Sequence, residues 1–381
     1  MSCLPYLILN WPIKKIATLM SIGVGAGYLM LSGASVATER AYIMAFTIFA
    51  AVLLERRAIT LHALAIAAIL VLLLRPESLL GPGFQMSFAA TGLLIIVFNA
   101  MSQWTWAARW PQGTRYLMGS VVSAVVAGLA TAPIAAAHFN ILPHYGVLAN
   151  VVAVPIMGAL APFGGEALGF WGMTLGLGAI LEVASHVADL PQSVSHIKAP
   201  PPGILGLLAA SVLFGILWQG RLRYLAVIPA CATLICWVMS PRPDVLISGD
   251  GRLVGVMVQG TRVLNVAKGS GFVARSWLEN DGNPISQKSA YGAMPSWLEI
   301  VDKGSHPMRP CQAALVVVQD WRSEPACGGF DLEALATAGG VAGRFDSSGR
   351  LQWITVRQAI GHRLWNSAAL RGAKGHDPAG L

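Results

Sequence analysis

The chain of 381 residues contains 12% charged and 55% apolar residues and has a formal net charge of +8. A soluble globular domain has about 25% charged residues, so the composition excludes a chain that is soluble throughout and predicts an integral membrane protein. The positive charge does not by itself indicate a nucleic-acid binder. The basic residues before Arg242 lie in short loops between apolar runs, where they first of all set membrane orientation.

Nine apolar runs precede Arg242, and each is a candidate membrane segment. They span residues 16–36, 41–54, 58–74, 84–100, 116–137, 144–163, 166–190, 203–219 and 222–240. A spanning helix needs about 20 apolar residues, so the shorter runs predict tilted, re-entrant or paired segments. Prolines such as Pro133 and Pro155 predict helices that are broken inside the protein. The predicted fold class is therefore an all-α polytopic membrane bundle of about nine segments, some of them broken or re-entrant.

The loops between these runs predict the orientation. With nine spans, eight Lys/Arg residues lie on one side of the membrane and four on the other. Positive-inside reasoning then places the N-terminus in the cytoplasm and everything after Arg242 outside it.

The composition changes near Pro241-Arg242-Pro243. Residues 1–242 contain 12 Lys/Arg and 6 Asp/Glu, whereas the remainder contains 14 and 12. Because proline steps end helices, we predict a membrane bundle over 1–242, a small extracytoplasmic α/β domain over 243–365 and a disordered tail over 366–381. Strand-like runs lie at Asp244–Ser248, Gly255–Val258, Arg262–Val266 and Ala314–Val318, and helical runs at Phe272–Glu279 and Asp331–Ala338.

Glu182, His186 and Asp189 follow helical spacing on one face of the seventh run. Ionisable residues within a span are costly and usually face a cavity or a partner, which would make this face a polar lining. The alternative is an interfacial helix end, because Pro191 follows closely. The sequence leaves both open.

The turn-rich stretch Arg75-Pro-Glu-Ser-Leu-Leu-Gly-Pro-Gly-Phe-Gln-Met-Ser-Phe88 separates two apolar runs. It resembles the hallmark loop of the ComEC competence-protein family, the inner-membrane channels for DNA uptake. Further matches follow the family order: Leu31-Ser-Gly-Ala-Ser35 with Arg40-Ala41 and Met44, the step from Leu53-Leu54 to Arg57, and Asn150-Val-Val-Ala-Val-Pro155. The resemblance covers about residues 12 to 240.

This resemblance implies a channel component that passes single-stranded DNA across the bacterial cytoplasmic (inner) membrane during natural transformation. The candidates for the DNA path are Arg40, Arg57, Arg75 and Gln85, since the arginine fork fits phosphate. By the predicted topology Arg57 faces the cytoplasm and the other two arginines face outward. Each arginine could instead be a topology anchor.

The implied partners are single-stranded DNA, membrane lipid and other competence proteins. A DNA-translocating ATPase is expected among them, because the chain has no Gly-x-x-x-x-Gly-Lys loop of its own. Family members usually carry an N-terminal domain and further spans, and nothing before Trp11 resembles these. We therefore expect a C-terminal portion that works with a separate N-terminal portion or as a homo-oligomer.

Many relatives also end in a metallo-β-lactamase-like domain, whose site needs clustered His and Asp. The eight histidines here form no His-x-His pair, so we expect no metal, no cofactor, no catalytic residues and no enzymatic activity. The alternatives to a channel are a truncated non-transporting remnant or a structural membrane protein. A membrane hydrolase is less favoured.

Cys311 and Cys327 lie in the predicted external domain. Oxidising compartments permit disulfides, and two cysteines are too few for a structural zinc site. The sequence therefore predicts a disulfide between them.

Overall fold

A computed structural model describes residues 13–103, 111–160, 166–218, 220–301, 315–318 and 329–361. The chain divides into two compact units, Met1–Ser195 and His196–Leu381. The predicted tail over 366–381 lies outside the described residues.

The first unit is helical. Its described elements are α1 (Ile13–Leu31), α2 (Val36–Leu53), α3 (Leu61–Leu74), a 3₁₀ turn (Pro76–Leu80), α4 (Pro82–Met101), α5 (Gln112–Phe139), β1 (Ile141–Pro143), α6 (Gly146–Leu160), α7 (Glu166–Ala188) and β2 (Val194–His196). From α1 to α7, each helix packs against the next one along the chain. The short strands β1 and β2 pair with each other.

Local sequence fixes where these helices begin and end. The hydroxyls of Ser35 and Thr60 accept hydrogen bonds from the first turns of α2 and α3, which satisfies backbone donors that have no partner within the helix. Pro82 starts α4, where its missing N–H costs nothing. Asn140 ends α5 in the left-handed conformation, at φ 58°. The segment between α3 and α4 is therefore a defined turn.

A small apolar core joins α2, α3 and α4. Ile43, Ala67, Val71 and Phe84 are buried in it, and Ala67 is 1% exposed. The small side chain of Ala67 lets the neighbouring helices approach closely. The packing holds the start of α4 against α2, which positions the turn between α3 and α4.

The second unit begins with two apolar helices and continues into a region of sheets. The described elements are α8 (Ile204–Leu217), a 3₁₀ turn (Arg221–Ala226), α9 (Val227–Val238), β3 (Val245–Ser248), β4 (Val254–Val258), β5 (Thr261–Leu264), α10 (Gly271–Asn280), α11 (Gln287–Ala290), β6 (Leu298–Val301), β7 (Leu315–Val318), β8 (Gly329–Phe330), α12 (Leu332–Ala338), β9 (Gly340–Phe345), β10 (Leu351–Thr355) and α13 (Val356–Ile360). We call the part from Val245 to Ile360 the sheet region.

The sheet region contains an antiparallel sheet of order β10-β9-β3-β4-β5 and a parallel sheet of order β6-β7-β8. Alternate residues of the strands enter one apolar core, which includes Val245, Ile247, Val317 and Phe330. A second core, with Leu253, Leu264 and Leu278, lies under α10. Period-two alternation thus places apolar side chains from both sheets in a shared interior.

A buried ion pair reinforces the second unit. The side chain of Arg262 is 0% exposed and forms a salt bridge with Asp281. Its remaining donors bond to the carbonyl oxygens of Gly255 and Pro243. Nearby, Arg242 donates to Ala199 O over 2.8 Å. Because every hydrogen bond of Arg262 stays within this unit, the guanidinium acts as a structural crosslink.

The structure confirms a mostly helical membrane fold with a small sheet-containing region near the C-terminus. Among the described residues, four helices are long and apolar enough to span a membrane: Val36–Leu53, Pro82–Met101, Gln112–Phe139 and Arg221–Val238. Helices also lie at the other predicted runs, including the shorter apolar Leu61–Leu74 and Ile204–Leu217. The number of nine spans, their re-entrant character and the domain boundary at residue 242 remain predictions.

The four predicted strand-like runs lie at β3, β4, β5 and β7, and the two predicted soluble helices lie at α10 and α12. The sequence did not predict β6, β8, β9 or β10. Gly340 and Gly343 interrupt the β-branched pattern in β9. At Gly343 a Cβ would lie 2.5 Å from the Trp353 ring, so tertiary packing overrides low strand propensity there.

Candidate functional site

An ion pair joins the start of α2 to the end of α3. Arg75 Nε donates to Glu39 Oε2 over 2.7 Å, and the two side chains are 42% and 20% exposed. Arg75 is also the C-cap of α3, where its backbone N–H bonds to Val71 O. The turn between α3 and α4 is thereby anchored to α2 by a partly exposed ion pair.

Arg40 lies beside this pair and contacts the start of α4. A Cβ built on Gly83 would lie 2.6 Å from Arg40 Nη2 and 2.7 Å from Nη1, so the guanidinium occupies the space that a side chain would need. Arg40 Nε donates to Val36 O over 3.3 Å. Within the described residues no carboxylate pairs with Arg40. A recess of about 180 Å³, lined by Arg40, Ser78 and Phe84 among others, opens there.

Gln85 connects the same turn to α5. Its Nε2 donates to Leu79 O over 3.0 Å, and its Oε1 accepts from His138 Nε2 over 3.0 Å. That bond places the proton of the His138 ring on Nε2. Gln85 thus connects the turn between α3 and α4 to the last turn of α5 through hydrogen bonds.

These contacts bring five polar residues together at one end of the helical unit. We call Glu39, Arg40, Arg75, Gln85 and His138 the loop cluster. They stand at the start of α2, the end of α3, the start of α4 and the end of α5. Two arginines and one glutamate give the cluster a formal charge of +1 with His138 neutral, so it can attract an anion.

Arg57 lies at the opposite end of α2. The 18 residues of that helix extend about 27 Å at 1.5 Å per residue, so Arg57 is remote from the loop cluster. Beside it, the ammonium of Lys15 lies 2.8 Å from Glu55 Oε1. The hydrogen bond from Lys15 holds the pKa of Glu55 below its ordinary value. Arg57 is exposed, and the structure does not bring it together with Arg40 and Arg75.

Glu182, His186 and Asp189 lie at the end of α7 and just beyond it. All three are exposed, and His186 Nδ1 donates to Glu182 O over 3.0 Å. In the described part of the chain, no ion pair joins them to another group. Their assignment as a polar lining remains a prediction.

Cys311 and Cys327, the predicted disulfide pair, lie outside the described residues. Cys231 and Cys236 are exposed free thiols. Across the described ranges, no group of three or more His, Cys, Asp and Glu is arranged to hold a metal ion.

Sequence analysis missed three members or neighbours of the site: Glu39, His138 and Gly83. Glu39 could have been found, because an acidic residue at the start of an apolar run needs a cation nearby. His138 and Gly83 gave no signal of their own. Their roles arise from contacts between segments that are distant in sequence.

Comparisons with known proteins find similarity in the part of the chain that contains the loop cluster. A family model described as "Competence protein" matches residues 1–222, which include the loop cluster. The chain is 26% identical over 289 residues to "ComE operon protein 3" of Bacillus subtilis (strain 168), and the match covers 68% of this chain and 35% of that protein. The chain therefore spans about a third of the length of this relative. No solved structure matches.

The fold and the loop cluster define a helical membrane protein with a polar site at one end of an apolar bundle. Because the family match extends over more than half of the chain, the chain belongs to the ComEC competence-protein family.

Proposed function

We propose that the chain is a channel component through which single-stranded DNA passes across the cytoplasmic membrane during natural transformation. The observation that carries the proposal is the guanidinium of Arg40, which lies in a recess at the end of the bundle and has no carboxylate partner in the part of the chain that the structure describes. A half-buried cation without a carboxylate is unusual in a membrane protein unless a ligand or cavity compensates it. A DNA phosphate supplies that compensation.

In this proposal the members of the loop cluster have separate tasks. Arg40 would contact the phosphate first, because its guanidinium has no carboxylate partner among the described residues. Arg75 would contribute after releasing Glu39, since their ion pair is partly exposed and therefore weak. Gln85 and His138 would hold the turn in place through their hydrogen bond.

In this proposal the chain provides a passage and is not an enzyme. Transport would be driven by other competence proteins, including a DNA-translocating ATPase. A separate N-terminal portion or further copies of the chain would complete the conduit, because an open polar path against lipid leaves charge and backbone groups uncompensated. Lipid would cover the outward-facing apolar side chains, such as Leu73, which is 75% exposed.

The proposed location is the bacterial cytoplasmic (inner) membrane, with multiple spans and the sheet region outside the cytoplasm. The excess of Lys/Arg on the opposite loops supports this orientation. Alkaline phosphatase fused after Gly361 should be active. A silent phosphatase, together with an active cytoplasmic reporter at the same position, would reverse the orientation.

Transformation in a naturally competent host that lacks its own channel tests the function. The chain should restore transformation when it is expressed with the N-terminal portion of a close relative. Arg40→Ala should then lower the transformation frequency about tenfold or more, because a hydrogen bond to a charged group contributes about 1.5–3 kcal/mol.

The matched control is Arg115→Ala, which removes one exposed arginine from the first turn of α5. It should leave transformation unchanged at equal amounts of protein in the membrane. Equal losses for both variants would make Arg40 a topology anchor. No rescue with any N-terminal partner would favour a non-transporting remnant or a structural protein.

A further inference from the structure

A second recess lies in the sheet region, within the second unit. Its volume is about 550 Å³, which falls within the range of roughly 300–1,000 Å³ that is typical of small-molecule sites. Its polar lining includes Arg252, Asn265 and Lys268, and its apolar lining includes Val266, Met294 and Ile300. Neither the loop cluster nor the family resemblance involves these residues.

Two exposed cations, Arg252 and Lys268, line this recess, and within the described residues neither side chain forms an ion pair. Three other arginines of the second unit, Arg242, Arg262 and Arg275, do have a carboxylate at 4.0 Å or less. Two unpaired cations around one cavity attract an anion.

Hydrogen bonds hold both sides of the polar rim in place. Asn265 accepts from Val254 N over 2.8 Å and donates to Arg252 O over 3.1 Å. Gln287 donates to Val266 O over 3.2 Å and to Gly269 O over 2.7 Å. The backbone that carries Arg252 and Lys268 is therefore fixed before any ligand arrives, which reduces the entropy lost on binding.

The apolar lining residues of the recess rest on the interior. Met294 and Ile300 are half-buried and pack against the main core of the sheet region, and Val266 packs against the core under α10. Such a surface suits a flat, weakly polar group, and methionine makes favourable contacts with aromatic rings. A ligand that matches this lining combines an anionic group with an apolar surface, and a planar ring provides such a surface.

We propose that this recess binds one nucleotide unit, with its phosphate between Arg252 and Lys268 and its base against Met294. The choice of a nucleotide over other phosphate esters rests on the proposed function. The unit could be a free mononucleotide or part of a DNA strand, because both present the same phosphate and base.

Binding of deoxythymidine monophosphate to the full chain in lipid nanodiscs tests the proposal, with calorimetry as the measurement. Thymidine and inorganic phosphate test the two parts of the ligand separately. A five-nucleotide oligothymidylate tests whether a DNA strand binds as the free mononucleotide does. We expect the mononucleotide and the oligonucleotide to bind at least about tenfold more tightly than thymidine or phosphate, because only they carry both a phosphate and a base. Equal binding of phosphate and mononucleotide would overturn the proposal and leave a simple anion site.

The double variant Arg252→Gln/Lys268→Gln should weaken mononucleotide binding about tenfold or more. The control Arg344→Gln/Arg350→Gln removes the same charge from the β9–β10 hairpin and should change binding by less than about twofold, as expected for screened, distant charges. Equal weakening by both double variants would overturn the proposal, because it would show non-specific attraction.

The same double variant separates this site from the loop cluster. Arg252→Gln/Lys268→Gln leaves Arg40 in place, so mononucleotide binding as tight as in the unchanged chain would locate the ligand at the loop cluster and overturn the proposal. Transformation is an independent measurement. The absence of mononucleotide binding in a chain that restores transformation would reject this recess alone, whereas binding without transformation would reject the channel alone.

Discussion

The helical unit and the sheet region each contain an arginine–carboxylate ion pair, but the two pairs are enclosed to different extents. In the helical unit, the side chains of Arg75 and Glu39 are 42% and 20% exposed. In the sheet region, those of Arg262 and Asp281 are 0% and 9% exposed. The same chemical groups therefore serve different purposes in the two regions.

Hydrogen bonding explains the difference. Arg262 donates to both oxygens of Asp281 and to two backbone carbonyls, so each nitrogen of its guanidinium donates at least one hydrogen bond within the protein. The described hydrogen bond of Arg75 uses Nε, and its partly exposed guanidinium can exchange a carboxylate for a phosphate. A saturated, buried arginine stabilises a fold, whereas an exposed one can bind a ligand.

The largest expected effect comes from breaking the buried pair. Arg262→Met keeps the apolar stem but leaves Asp281 buried without its main partner. The free energy of unfolding of the sheet region should fall by about 3–5 kcal/mol, the typical cost of an uncompensated buried charge. Hydrogen exchange of the β3 and β4 amides in the full chain measures this loss in the free energy of unfolding.

Arg275→Met is the control for this change. Arg275 pairs with Glu279 over 2.7 Å, but its side chain is 80% exposed, and exposed pairs of this kind contribute little. The β3 and β4 amides should exchange as in the unchanged chain. Similar effects of the two variants would remove the contrast between buried and exposed pairs.

The predicted disulfide between Cys311 and Cys327 would be a further difference between the sheet region and the helical unit. It requires an oxidising compartment around the sheet region. Closing a loop of about 15 residues stabilises a fold by roughly 3 kcal/mol in the chain-entropy model. Thiol labelling of the denatured, unreduced protein should modify Cys231 and Cys236 but miss this pair. Full labelling of Cys311 and Cys327 without reductant would exclude the bond.

A smaller effect is expected when the Arg40 site is altered without touching the arginine. In Gly83→Ala, the new Cβ would lie 2.6 Å from Arg40 Nη2, so the guanidinium must move. Transformation in the co-expression assay should fall about tenfold, as expected for weakening one charged hydrogen bond.

Gly92→Ala is the control on the same helix, because its Cβ would lie 3.4 Å from Leu64 Cδ2, an ordinary contact. It should leave transformation unchanged. Combining Gly83→Ala with Arg40→Ala should add no further loss. An additional loss in the double variant would mean that Gly83 acts independently of Arg40.

Sequence reasoning located the membrane helices because long apolar runs need no partner to be recognised. Helices such as Pro82–Met101 and Gln112–Phe139 overlap the predicted runs. The turn between α3 and α4 was also recognised, because turn-forming residues such as Pro76 and Gly81 separate two apolar runs there. These features depend on local sequence alone.

The contacts of the site could not be predicted in this way. The pairing of Arg75 with Glu39 joins residues 36 positions apart, and that of Gln85 with His138 joins residues 53 positions apart. Nothing in either local sequence specifies such a partner. Strand β9 was missed for a similar reason, since Gly340 and Gly343 lower its strand propensity and packing restores it.

The central claim is that a DNA strand passes the recess beside Arg40, and the most direct test traps that strand in place. Single-stranded DNA stalled by a bulky group at its trailing end would be probed with a photoreactive residue at Ser78, which lines the recess. The control position is Leu73 on α3, which is 75% exposed and would face lipid. We predict cross-linking of the strand at position 78 and none at position 73. No cross-link at position 78, or an equal yield at both positions, would contradict the proposed passage.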